Sequence, residues 1–245
     1  TRVIPMLPVE LSNGICSLNE GVVRLTLSSF MEIDAEGRVV DGRLVKSAIK
    51  TTHRLTYTEV NRLLEDHDPV VEKKLADIAD DLRTMEELAN TLHEVRNRKG
   101  GVDFDIAEAK IVLGKDGKPA DITVRQQGTA ERLIENFMVT CNNTVAEAFV
   151  AMDIPFLYRV HELPDEEKIE ALSVFLGKFG IRLKKNEQIA SMDLQRVLNR
   201  AKGTKEESII SQVALRSMQK ARYDTHNLGH FGLASQAYSH FTSPI

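Results

Sequence analysis

Residues 129–152 read TAERLIENFMVTCNNTVAEAFVAM, and the spacing within this stretch decides how the chain is read. Leu133, Ile134, Phe137, Met138, Cys141, Val145, Ala148, Phe149 and Met152 recur at helical intervals over a wide apolar face, so the segment is expected to be the most buried helix. Glu135 and Asn142 are seven residues apart and differ by only about 20° in direction on a helix. They therefore stack on one side, with Met138 and Phe149, inside an apolar surface. A carboxylate and an amide placed there either belong to a hydrogen-bonded core network or face a polar cavity. The second reading puts them on the wall of a ligand channel.

Upstream of this helix the chain reads as hairpins punctuated by helices. Apolar residues alternate imperfectly from Gly21 to Ile33, Asp34-Ala35-Glu36-Gly37 supplies a turn, and Arg38 to Ile49 returns. A second hairpin runs Ala109 to Leu113, turns through Gly114 to Lys118, and returns over Ala120 to Val124. Thr56 and Glu59 have capping-box spacing and open a short helix. Asp68-Pro69 begins one long amphipathic helix whose stripe runs Val71, Leu75, Ile78, Leu82, Met85, Leu88, Leu92 and Val95, until Gly100-Gly101 stops it. Its expected length is about 45 Å.

Downstream, three shorter helices are expected. One runs from Asp165 to near Gly180, one from Ser191 to near Gly203, and one opens on a capping box at Thr204 and Glu207. From Tyr223 onward there is no sustained period. The fold class is therefore α+β, antiparallel strands and hairpins flanked by helices, with residues 1–245 expected to form a single domain.

Composition narrows the function classes. With 42% apolar and 28% charged residues the chain is ordinary globular material, not a disordered or collagen-like one. Its net charge of −4 excludes a uniformly basic nucleic-acid wrapper but not a local basic channel. Cys16 and Cys141 are too few for a disulfide framework and have no ligand-spaced partners, which favours a reducing, cytoplasmic setting. No apolar run approaches the roughly 18–20 residues of a membrane span. The chain opens on Thr1 and stops on Thr242-Ser243-Pro244-Ile245, as a segment of a longer protein is expected to.

Motifs for dinucleotide or phosphate loops, zinc hydrolases and serine nucleophile elbows are missing. What stands out is polar or aromatic residues in unusual places. Gly100-Gly101-Val102-Asp103-Phe104-Asp105 sets an aromatic between acids behind a flexible pair, and Tyr57 lies within the first capping box. Lone aromatics of this kind usually pack. The stretch His226 to Ala234, continuing through Tyr238-Ser239-His240-Phe241 to Ile245, has the aromatic, hydroxyl and glycine content of a functional loop. His230 and His240 are not spaced as metal ligands. Basic clusters at Arg96–Lys99, Arg182–Lys185 and Arg196–Lys205 suit phosphates but equally suit solvated helix faces.

Several phrases coincide in order and spacing: Val3-Ile4-Pro5-Met6-Leu7-Pro8, Leu11-Ser12-Asn13-Gly14-Ile15-Cys16-Ser17-Leu18, Arg54-Leu55-Thr56-Tyr57-Thr58-Glu59-Val60, Leu133-Ile134-Glu135 with Met138 and Asn142, Gly229-His230-Phe231-Gly232-Leu233-Ala234, and Tyr238 to Ile245. Together they resemble the catalytic RNB domain of the RNase II and RNase R family of exoribonucleases, over essentially the whole chain and nearer to RNase R. The resemblance implies a processive, magnesium-dependent hydrolase that removes nucleoside 5′-monophosphates from the 3′ end of single-stranded RNA. A monomer acting without a membrane is expected.

Carried over by position, Phe104 implies the aromatic that clamps the terminal base, Glu135 the carboxylate that contacts the terminal sugar, and Tyr57 the tyrosine at the catalytic end of the channel. Asn142, His230, Thr242 and Ser243 complete the expected RNA-binding set. The family's metal site is a cluster of four aspartates upstream of the Ile4-Pro5-Met6-Leu7-Pro8 phrase, and its charge-stabilising arginines follow Thr242-Ser243-Pro244-Ile245. Neither has a counterpart in these residues, so no catalytic or metal-binding residue is assigned, and the chain alone is expected to be inactive. Two competing classes are a non-catalytic RNA-binding relative and a helical interaction scaffold.

Overall fold

The computed structural model describes residues 4, 5, 7–103, 108–114, 116–125, 127–183 and 189–242. It is an α+β fold of short antiparallel strand pairs and helices, arranged as two compact units.

The first unit draws on Thr1–Leu92, Thr129–Ala148 and His240–Ile245. Strands β1 (Val23–Ile33) and β2 (Val39–Lys50) form the expected hairpin, closed where Gly37 takes φ 77° and donates to the Asp34 carbonyl. Helix α1 (Tyr57–Leu64) starts on Thr56, whose hydroxyl accepts from the Glu59 N–H at 3.3 Å. The Glu59 carboxylate pairs with Lys74. Helix α4 (Thr129–Ala151) begins in this unit, and the hairpin approaches it so closely at Gly42 that a Cβ would lie 3.1 Å from Thr144 Cγ2. Leu63, Leu75, Leu82 and Leu133 bury one core between α1 and the helices that follow.

The long helix expected from Pro69 is instead two, α2 (Pro69–Lys74) and α3 (Ala79–Lys99). At the break, Ile78 donates to the Leu75 carbonyl at 2.9 Å, an i→i+3 bond that tightens the chain by part of a turn. The step lets both Leu75 and Ala79 enter the core, at 2% and 3% exposure, and core packing overrides an unbroken local period. Helix α3 accordingly spans only about 31 Å. Arg96, Arg98 and Lys99 occupy its last turn, where cations complement the helix dipole.

The second unit draws on His93–Gly128 and Phe149–Ser239. It holds the expected hairpin of β3 (Glu108–Leu113) and β4 (Pro119–Arg125), and three helices, α5 (Glu166–Gly177), α6 (Ser191–Ala201) and α7 (Glu207–Ser217). Leu172, Leu176, Leu194, Val197, Ile210 and Phe231 form its core. The capping box expected at Thr204 is rearranged. The Thr204 hydroxyl donates back to the Ala201 carbonyl at 2.6 Å, Glu207 accepts from the Gly203 N–H at 2.7 Å, and α7 starts at Glu207.

The stretch from Tyr223, expected to be irregular, is more ordered than its composition suggests. Strand β6 (Arg222–Asp224) pairs antiparallel with β5 (Tyr158–Val160), and Phe231–Leu233 form a 3₁₀ turn capped by His230. Three-residue strands are too short to show a period of two in sequence.

Candidate functional site

Helices α1 and α4 are joined by capping. The Asn61 carboxamide donates to Glu131 Oε2 at 2.9 Å and accepts from the Ala130 N–H at 2.7 Å. Glu65 Oε1 accepts from the Thr129 N–H at 2.6 Å. Side chains at the C-terminal end of α1 thus satisfy N–H groups that the first turn of α4 would otherwise leave open. The Thr129 hydroxyl, then its N–H, hold the Glu65 carboxyl below its ordinary value, as suits a carboxylate at a helix N-terminus. Tyr57 is the first residue of α1 and is 45% exposed.

On α4, Glu135 is half-buried and Asn142 is 2% exposed. The Asn142 Oδ1 accepts two hydrogen bonds from Thr242, from its backbone N–H at 2.8 Å and from its hydroxyl at 2.9 Å. Of the two readings open for this helix face, Asn142 is the hydrogen-bonded one. The pair lies 100 residues apart in sequence, and through it Thr242 is fixed to the helix that carries Glu135.

His230 belongs to the second unit. Its Nδ1 accepts from the Leu233 N–H at 3.2 Å, and its ring packs edge-on against His161 and Tyr238, with centroids 5.0 and 5.2 Å away. Gly232 lies beside the His161 ring and donates to Nδ1 at 3.2 Å; a Cβ there would sit 3.0 Å from that same atom. Gly229 takes φ 72°, with the Ser235 carbonyl 3.2 Å from where a Cβ would be. Burial holds the His161 imidazole below its ordinary pKa, so the ring is neutral with Nδ1 free to accept.

This glycine-rich turn also holds the segment ahead of Phe104. The Val102 N–H donates to the Gly232 carbonyl at 2.7 Å, and the Asp103 N–H donates to Gln195 Oε1 at 2.8 Å. Gln195 is buried on α6 and donates in turn to Asn199 Oδ1 at 3.2 Å. The described part of the Gly100–Asp105 stretch and the Gly229–Ala234 phrase, singled out separately in the sequence, are therefore hydrogen-bonded to each other.

Of the predicted residues, Asn142 and Thr242 are brought into direct contact, and Tyr57 and Glu135 lie on the two helices that the cap joins. His230 is organised around its own aromatic cluster. Phe104 and Ser243 lie outside the described residues. Sequence reasoning missed Asn61, Glu65, Gln195 and His161. Only Gln195 left a trace, as a polar residue beside the apolar face of α6. Among the described residues no three His, Cys, Asp or Glu side chains converge as a metal would require, so they do not fit a magnesium site.

The RNB domain family profile matches residues 1–245. Ribonuclease R 1 of Lactococcus lactis is 46% identical over 245 residues, covering 100% of this chain and 30% of that protein. Ribonuclease R of Thermotoga maritima is 47% identical over 244 residues, covering 99% of this chain and 34% of that protein. The solved structure of Mycoplasma genitalium RNase R in complex with ribose methylated single-stranded RNA matches with a TM-score of 0.91 at 30% identity, over 100% of this chain and 38% of that one. The chain belongs to the RNB domain family. It spans about a third of the length of the two ribonucleases.

Proposed function

We propose that this chain is an internal portion of one RNB catalytic domain, and that the longer polypeptide is a monomeric 3′-to-5′ exoribonuclease releasing nucleoside 5′-monophosphates from single-stranded RNA. The observation that carries the reading is the α1–α4 assembly: one capped pair of helices holds Tyr57, Glu135 and, through Asn142, Thr242. Whole-chain membership of the RNB family and the Ribonuclease R relatives support it.

In this reading Glu135 accepts a hydrogen bond from the terminal sugar and Phe104 stacks on a base, a contact that tolerates any sequence because every base has a π-face. Tyr57 borders the end of the strand, and His230 holds the turn from which Val102 is suspended. Magnesium is the metal such phosphate chemistry calls for, and the described residues offer it no ligand set.

The test is incubation of the intact polypeptide with labelled single-stranded RNA and magnesium, following product release and binding over a salt series. Processive release of 5′-monophosphates is expected. Salt-dependent binding without hydrolysis would favour a non-catalytic RNA-binding relative, and the lack of both a helical scaffold.

A further inference from the structure

The ladder of β5 and β6 is covered on one side and open on the other. Tyr158 and Val160 turn inward, at 5% and 1% exposure. With a period of two, Arg159 and its register partner Tyr223 take the opposite side. The Arg159 guanidinium lies over the Tyr223 ring, 4.7 Å from its centroid and within the range of a cation–π contact, and Tyr223 is 51% exposed. The strand beneath is held along both edges. It pairs with β6 on one, and on the other the Arg159 N–H donates to the Tyr238 carbonyl at 2.8 Å and the His161 N–H to the Gly229 carbonyl at 3.0 Å. The two arginines of the ladder are used differently. Arg222 is held by Glu162, at 3.2 Å, and by Asp224. Among the described residues the half-buried Arg159 makes no hydrogen bond or ion pair through its guanidinium, so those N–H donors are left to solvent or a ligand.

We infer that Arg159 and Tyr223 form a nucleotide-binding platform, at which a base of single-stranded RNA covers the exposed part of the Tyr223 ring while the Arg159 guanidinium bonds the adjoining phosphate. The inference rests on the proposed RNA substrate. An aromatic ring stacks on any base, and a planar guanidinium matches phosphate oxygens two at a time. The pair therefore holds a nucleotide without reading sequence, as degradation of any RNA demands. This open surface offers one ring and one cation, too little to retain a free nucleotide. A strand already engaged elsewhere on the protein presents its nucleotides at high effective concentration, so the occupant is a nucleotide of the strand and not a released 5′-monophosphate.

The experiment irradiates the intact polypeptide with single-stranded RNA carrying 5-iodouridine at successive positions and identifies the cross-linked peptides by mass spectrometry. At one or more positions the cross-link should fall on Tyr223 and should survive excess uridine 5′-monophosphate. In binding titrations over a salt series, Tyr223→Leu should weaken affinity about five- to tenfold, the low end for one stacked base, with the salt slope unchanged, and Tyr223→Trp should retain it. Arg159→Gln should lower the slope of log K against log salt by about 0.7, the loss of one phosphate contact to a single strand. A purely structural cation–π pair would lower Tm in these variants and leave RNA affinity and slope unaltered, which would overturn the inference. Displacement of the cross-link by the free nucleotide would overturn it as well. Should Tyr223→Leu fail to fold, as checked by circular dichroism, the cross-link on the unaltered protein decides, and its lack at every position overturns the platform. Each of these results leaves the nuclease reading intact. Failure of the unaltered protein to bind single-stranded RNA would instead remove that reading, and this inference with it.

Discussion

Asn142 and Thr242, 100 residues apart, share one carboxamide oxygen: the threonine donates to it twice, from its backbone at 2.8 Å and from its hydroxyl at 2.9 Å. A single buried acceptor thereby ties a loop segment to the middle of α4, two turns beyond Glu135. The same helix is held at its other end by Asn61 and Glu65 of α1. The proposed RNA contacts of this unit accordingly depend on polar bonds that are themselves not RNA contacts.

The α4 cap is the first place to test this. Asn61→Ala or Glu65→Ala should lower stability by about 0.5–2 kcal/mol, the usual cost of losing a helix N-cap, read as a fall in Tm. Glu65 has a folded pKa below its unfolded value. Its contribution is therefore fully present above about pH 4.3, the ordinary glutamate value, and is lost as pH falls through the lower folded value. The Tm difference between the parent and Glu65→Ala should shrink over that acid range; a difference that persists unchanged would refute the capping role.

His161 responds to falling pH from a higher starting point. Burial is the main cause of its depressed pKa, the nearby Arg159 adds to it, and the Gln219 carbonyl opposes both. Because the unfolded imidazole, with pKa about 6.5, binds protons more readily than the folded one, His161 is neutral at no cost above that pH. As pH drops below it, stability declines until the folded pKa is reached. Nitrogen-15 NMR should show a ring titrating below the ordinary histidine range with Nδ1 unprotonated at neutral pH. A ring titrating at or above 6.5 would contradict this account.

The turn at Gly232 should not accept a side chain. Gly232→Ala places a methyl 3.0 Å from His161 Nδ1, and overpacking of this kind costs about 1–3 kcal/mol. Gln195→Leu removes the partner of the Asp103 N–H and, since Asp103 itself is exposed, should cost about 0.5–1.5 kcal/mol, whereas Gln195→Glu keeps an acceptor and should cost less. Hydrogen exchange at the Asp103 amide is the direct measurement, with faster exchange expected in the leucine variant only.

Phe104 and Glu135 carry predictions about the reaction. In the intact polypeptide Phe104→Ala should weaken engagement of the RNA 3′ end by about 1–3 kcal/mol, the loss of one stacked base, and should lengthen the final product. Glu135→Gln should reduce the preference for RNA over DNA at the terminal nucleotide. Unchanged product length would return Phe104 to a packing role, and an unaltered preference would count against sugar recognition by Glu135.

Much of this molecule is written locally. Periodicity and turn chemistry place the β1–β2 and β3–β4 hairpins, α1 and α4, and the glycine-rich phrase shows its purpose in that Gly229 and Gly232 stand where a Cβ would be strained or crowded. Glu135 and Asn142 were legible as two polar groups stacked on an apolar helix, because a helix converts spacing directly into direction. Local pattern thus supplies the α+β element types, the family phrases and the candidate residues.

The tertiary structure alone decided the rest: the break between Lys74 and Ala79, the pairing of β5 with β6, the Asn61 and Glu65 cap, and the partner of Asn142. Each depends on atoms brought together from distant parts of the chain. The break follows from where Leu75 and Ala79 find a core to enter, and the others rest on a few polar contacts that leave no repeating signature. Local sequence encodes what neighbours along the chain can do, and only packing settles which distant donor a buried acceptor such as Asn142 Oδ1 receives.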